Sequence, residues 1–134
     1  MTHLDTSFIV DLLRESRRGG SGPARALLST LGDEPLGLSV FACCELEVGV
    51  ERSHHPERER KKIADVCENV SLVYPDERLP RLYGKTLSRL LDAGRSISEM
   101  DLLIACTALA DDATLVTGNR KHFDVVPRLR VLSY

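Results

Sequence analysis

The sequence has no tryptophan and only 4% aromatic residues, which excludes a nucleic-acid surface built mainly on stacking bases against rings. It also lacks an excess of either charge, with 18 lysines and arginines against 20 acids and a formal net charge of −2. Any nucleic acid must therefore be held by a local patch rather than a global field. No apolar run approaches the ~20 residues needed to span a bilayer, so no membrane segment is expected. The opening residues Met1–Asp5 lack a basic start, a long apolar stretch and a small-residue cleavage site. They predict a cytoplasmic chain that is not secreted. Cysteine is sparse: Cys43, Cys44, Cys67 and Cys106 form no C-x-x-C pair and stand at no zinc spacing from His54, His55 or His122. Small buried hydrophobes in a reducing compartment are the expected role.

A phosphate loop is missing as well. The glycine-rich stretch Arg17–Gly22 follows a helical pattern instead of a strand. Gly84-Lys85-Thr86 resembles the end of a Walker motif, but the required glycine five positions before Gly84 is Leu79. What remains is ordinary: 134 residues, 43% hydrophobic and 28% charged, the profile of one folded domain over residues 1–134.

Short apolar runs alternate with 3.6-period segments. Strands are predicted at Met1–Leu4, Leu36–Val40, Val70–Tyr74, Thr114–Thr117 and Arg130–Leu132. Helices are predicted at Thr6–Arg17, Pro23–Leu31, Phe41–Arg52, Pro56–Glu68, Asp76–Ala93 and Glu99–Ala110. This alternation predicts an α/β sandwich around a parallel sheet. The mixed-charge run from Glu51 to Lys62 predicts a solvated helix face with pairs such as Glu57–Lys61.

The informative residues are acids in apolar company. The helical neighbours of Glu45 are Phe41, Ala42, Val48 and Gly49, so its carboxylate needs a partner, either a core arginine or a metal ion. Asp101 sits among Ile97, Ser98, Ile104 and Ala105, where a capping box with Ser98 is the plainer expectation. Asp5 could equally cap the helix beginning at Thr6. Together, Asp5, Glu45 and Asp101 could converge beyond the carboxyl ends of the strands, where open parallel sheets bind ligands. Three carboxylates without thiol or imidazole form a hard oxygen set suited to Mg²⁺ or Mn²⁺, the ions that support phosphodiester hydrolysis.

Four segments carry a family resemblance: Leu4–Leu13 (LDTSFIVDLL), Ser39–Gly49 (SVFACCELEVG), Ile97–Ala105 (ISEMDLLIA) and Leu115–Asn119 (LVTGN). In order and separation they resemble the motifs of PIN-domain ribonucleases, most nearly VapC-type toxins of type II toxin–antitoxin pairs. The resemblance implies a PIN-like three-layer α/β/α sandwich with a short, mainly parallel central sheet. It implies a Mg²⁺-dependent endoribonuclease, with Mn²⁺ able to substitute, cleaving structured RNA such as tRNA or rRNA. It also implies a cognate VapB-like antitoxin and a homodimer. Asp5, Glu45 and Asp101 would be the catalytic, metal-site acids, with Thr6, Thr117 and Asn119 in support. The family often has a fourth acid after the last motif. Here Asn119 stands in an N/D position and His122 in a place that is often acidic, and the replacement for the fourth acid is open among Asn119, His122 and Asp124. Arg14, Arg120 and Lys121 are candidates for an RNA-holding rim. Two other readings keep the same fold: a housekeeping PIN nuclease without antitoxin, and an inactive PIN-like binding module.

Overall fold

A computed structural model describes residues 1–134. Five strands, β1 (Thr2–Leu4), β2 (Leu36–Ser39), β3 (Val70–Val73), β4 (Thr114–Val116) and β5 (Arg130–Leu132), form one sheet in the order β3-β2-β1-β4-β5. Every neighbouring pair is parallel. Seven helices connect them: α1 (Thr6–Arg17), α2 (Pro23–Leu31), α3 (Val40–Glu51), α4 (Pro56–Val66), α5 (Leu79–Asp92), α6 (Glu99–Ala110) and α7 (Arg120–Phe123). The order runs outward from β1 in both directions. Crossovers that run in opposite directions from β1 place helices on both faces, and the carboxyl ends of β1 and β4 form the switch point. The expected α/β sandwich is the observed architecture. No helix is long and apolar enough to cross a membrane.

The core lies between α1, the sheet and α6. Leu4 and Leu115 come from the strands, Phe8, Ile9 and Leu12 from α1, and Ile104, Ala105 and Ala108 from α6. Helix α6 is apolar nearly all round because it is covered on two sides: Leu102 and Cys106 pack on Leu90 of α5. Only Cys106 is fully buried among the cysteines, whereas Cys44 is exposed, contrary to the expectation of uniform burial.

Several boundaries and contacts differ from expectation for local reasons. Helix α3 begins at Val40 because the Ser39 hydroxyl accepts the Ala42 amide, 3.1 Å away, and ends the strand there. Helix α5 begins at Leu79 because the Asp76 carboxylate holds the Arg78 amide and guanidinium in a turn. The pair Glu57–Lys61 is not made. The Arg60 guanidinium, with more donors than an ammonium, takes Glu57 together with Glu47 and Glu51 of α3. Helix α7 has a single turn and was not expected at all.

His3 sits in the central strand and is 1% exposed. It lies over its register partner Gly37, where an added Cβ would come 3.2 Å from the ring. Its Nε2 meets Asp111 Oδ2 at 2.8 Å, while Nδ1 is buried without a partner. The neutral ring with its proton on Nε2 satisfies that arrangement; a second proton would bury an unpaired N–H. Burial accordingly pulls the His3 pKa below its ordinary 6.5, against the opposing pull of Asp111. The unfolded chain then binds the proton more readily, so stability falls as pH drops through the ordinary histidine range. Thermal melts are expected to shift downward between about pH 7.5 and about pH 5.5. The shift should shrink in His3→Gln, whose amide still donates to Asp111; an equal shift in the variant would place the pH dependence elsewhere.

Candidate active site

The site is built outward from Asp5. Its amide donates to the Val116 carbonyl at 2.9 Å, continuing the β1–β4 pairing by one residue. The side chain turns inward and is 3% exposed. One carboxylate oxygen, Oδ2, accepts from Ser7 Oγ and from Thr117 Oγ1, both at 2.8 Å. Each hydroxyl is itself held by backbone: Gly118 N–H donates to Ser7 Oγ at 3.0 Å, and Asn119 N–H to Thr117 Oγ1 at 2.9 Å. Asp5 occupies the cap position of α1, but its carboxylate makes no cap bond, so the capping expectation holds in place and not in chemistry.

Glu45 is half-buried on α3, and of the two expected partners the core arginine is ruled out. Thr6 Oγ1 donates to its Oε1 at 2.7 Å, and no arginine reaches it. Asp101, in the first turn of α6, also departs from expectation. Its amide donates to Ser98 Oγ at 3.2 Å, so Ser98 is the cap, but the Asp101 carboxylate does not return the bond. Asp101 Oδ2 instead lies 3.1 Å from His122 Nδ1.

Asp5, Thr6, Glu45, Asp101, Asn119 and His122 line one open cleft of about 520 Å³. Thr117 supports it from behind and is fully buried. Of the expected rim cations, Arg14 lines the cleft, Lys121 lines an adjoining depression beside Asp101, and Arg120 is turned onto Asp124 at 3.2 Å. That pairing keeps Asp124 out of the cleft. A different carboxylate enters instead: Asp11 of α1, which accepts from Arg14 Nη1 at 2.9 Å and from Tyr134 Oη at 2.6 Å. Neither Asp11 nor Ser7 was expected from the sequence. Their signal is the polar stripe Ser7, Asp11, Arg14 at i, i+4 and i+7, one face of α1.

The electrostatics are unbalanced. Neither Asp5 nor Glu45 has a cation within ion-pair distance, since every pair in the cleft involves Asp11 or Asp101. Burial raises the Asp5 pKa, and the nearby Asp101 charge adds to it, while the Thr117 and Ser7 hydrogen bonds oppose both. No three acidic, histidine or cysteine side chains converge closely enough to chelate an ion alone. The acids thus fit a Mg²⁺-like ion, which takes one or two carboxylates and keeps several waters, better than an ion that needs a full protein cage.

An acid with a raised folded pKa favours the fold when protonated, and that contribution is lost as pH rises through the ordinary value of 3.8. At neutral pH the ionised Asp5 therefore opposes folding, a cost that a cation bound beside it would offset. Asp101→Asn removes one of the charges. In chelator near neutral pH it is expected to melt no lower than the unsubstituted protein, and added Mn²⁺ should raise its melting temperature less. Equal metal-induced shifts in the two proteins would exclude a shared cation site.

A model of the PIN domain matches residues 3–129. Ribonuclease VapC1 of Haemophilus influenzae is 32% identical over 127 residues, 95% of this chain and 92% of that protein. Ribonuclease VapC19 of Mycobacterium tuberculosis is 33% identical over 132 residues, 97% of this chain and 98% of its own length. The structure of VapBC2 from Rickettsia felis bound to a promoter DNA fragment superposes with a TM-score of 0.89 at 26% identity, covering 99% of this chain and 98% of that one. That of VapBC-1 from nontypeable Haemophilus influenzae gives 0.83 at 31% identity, covering 98% and 96%. With the fold, the motif order and these identities in agreement, the chain belongs to the PIN-domain family, in its VapC branch.

Proposed function

We propose that this protein is a divalent-metal-dependent endoribonuclease, the toxin of a toxin–antitoxin pair, acting on structured RNA such as tRNA or rRNA. The observation that carries the reading is the pair of carboxylates without cationic partners, Asp5 and Glu45, facing the same cleft as Asp101 at the switch point of the sheet. The relatives named ribonucleases support the activity, and the similar VapBC structures support an antitoxin partner.

Asp5, Glu45 and Asp101 would hold Mg²⁺, with Mn²⁺ able to substitute. When bound, the ion supplies positive charge against phosphate oxygens and lowers the pKa of water. The chain's own residues supply position. Ser7 and Thr117 fix one Asp5 oxygen, so that carboxylate cannot rotate away. Thr6 fixes Glu45 in the same way from the neighbouring position. Arg14 and Lys121 at the margins are placed to meet flanking phosphates, which an acidic cleft alone would repel. In the absence of metal the same negative field draws a basic side chain, the natural contact for an antitoxin.

A second copy completes this reading. Val48, Leu72 and Tyr74 are 59%, 48% and 69% exposed, forming an apolar strip beside the edge strand β3. The opposite edge, β5, carries Arg130, whereas β3 has no charged residue to discourage pairing. Leu72→Glu is expected to convert a dimer into a monomer in light scattering; a monomeric unsubstituted protein would remove the dimer from the reading.

The central test is cleavage. RNA breakdown should require Mg²⁺ or Mn²⁺ and stop in chelator. Asp5→Asn, Glu45→Gln and Asp101→Asn should each lose roughly a hundredfold or more in rate. Full cleavage and toxicity in all three variants would overturn the assignment.

A further inference from the structure

A second cavity, of about 280 Å³, lies at the opposite end of the sheet and has the opposite charge. Its lining includes Lys85, Arg89, Arg128 and Arg130 against a single carboxylate, Asp112. Arg130 is held in place by Asp112, with Nη1 3.0 Å from Oδ1 and Nη2 donating to the Asp112 carbonyl. Lys85, Arg89 and Arg128 have no carboxylate within ion-pair distance, since Asp112 is the only acid in the cavity and Arg130 takes it. Lys85 and Arg89 stand at i and i+4 on α5, where like charges repel. The last turn of α5 favours a cation at Arg89, but neither Lys85 nor Arg128 has that reason to be there.

The backbone supplies a second observation. Asp112 and Arg128 are the chain's two non-glycine residues with positive φ, at 48° and 69°, and both line this cavity. At Asp112 the cause is local: it follows the C-cap of α6, where Asp112 N–H donates to the Leu109 carbonyl and Ala113 N–H to the Ala108 carbonyl, so only Arg128 holds left-handed backbone with no helix end to account for it. The stretch Gly84-Lys85-Thr86, which fails as a phosphate loop for want of an earlier glycine, contributes Lys85 and Thr86 here from the middle of a helix.

We propose that this cavity is a phosphate-binding site, filled by a backbone phosphate of the RNA whose scissile bond enters the acidic cleft. Naming RNA as the source rests on the functional reading above; the phosphate chemistry does not. Helix α6 links the two sites, with Asp101 near its start and Leu109, which lines the basic cavity, near its end. At 1.5 Å per residue they are about 12 Å apart along the helix, a distance that a few nucleotides can cover. Cations in a concave site hold phosphate by paired N–H donors as well as by charge, a geometry for which arginine is suited.

Two measurements test it. In an ¹⁵N-labelled full chain, inorganic phosphate should shift the amides of Thr86, Asp112 and Arg128 saturably. The shifts should vanish in Lys85→Gln/Arg128→Gln and persist in the charge-matched control Arg58→Gln/Lys61→Gln on exposed α4. Shifts that are absent, or that survive the double substitution, overturn the site. In RNA cleavage, Lys85→Gln/Arg128→Gln should raise KM about tenfold with kcat unchanged, and flatten the logarithmic salt dependence of kcat/KM by about one. An effect on KM no larger than that of the control, with phosphate shifts present, overturns RNA as the source and leaves a site for free phosphate. If the unsubstituted protein cleaves no RNA, the functional reading fails, and the phosphate titration still decides the cavity.

Discussion

The hydrogen bond from Thr117 Oγ1 to Asp5 Oδ2 joins two strands that meet only because the sheet reverses its order there. Much of the cleft depends on it. The same hydroxyl accepts the Asn119 amide, which sets the turn leading into α7 and so carries His122 toward Asp101. The same carboxylate oxygen takes Ser7, which in turn holds Gly118. A hydrogen bond to a charged group contributes about 1.5–3 kcal/mol, whereas taking an unpaired carboxylate out of water costs several. Two hydroxyls therefore orient Asp5 without neutralising it. The residual negative charge is what the proposed metal site would draw on.

Charge is segregated along the fold more than its near-neutral total suggests. The carboxyl ends of β1 and β4 open onto acids, and the amino ends of β4 and β5 onto lysine and arginines. The apolar helix α6 separates them, and strands of three or four residues keep the two ends close. Longer strands would have moved the basic cavity out of reach of a ligand bound in the acidic cleft.

The apolar faces of α1 and α6 and the short runs of β1, β2 and β4 were legible in the sequence because burial leaves a period. Helix α7 was not, since its four residues RKHF carry only one buried side chain, Phe123. Among the site residues, Glu45 and Asp101 were legible because acids among apolar neighbours need a reason, and Asp5 because it stands at the carboxyl end of the first strand. Asp11 escaped for the converse reason: on the polar face of α1 it has the company an exposed acid would have, and its contact with Tyr134, 123 residues away, is invisible in the local pattern. Partner identity was the weakest point. The chain shows that Glu45 and Asp101 need partners, but Thr6 lies 39 residues from the first and His122 lies 21 from the second, beyond any local pattern. The capping motif at Ser98 was half right because its backbone half is local and its side-chain half competes with a distant imidazole.

Gly118 has an ordinary backbone conformation, so freedom to twist is not what the position requires. A Cβ there would lie 2.7 Å from the Tyr134 hydroxyl oxygen and 3.0 Å from Asp11 Oδ2. The cleft wall at this point is bare main chain, and the space a side chain would fill is already taken by the tyrosine–aspartate contact. Position 118 is thus a gauge of width: its tolerance for larger residues measures how far Tyr134 can be displaced. Loss of function on enlarging it would report a narrowed opening, with all the reacting groups still in place.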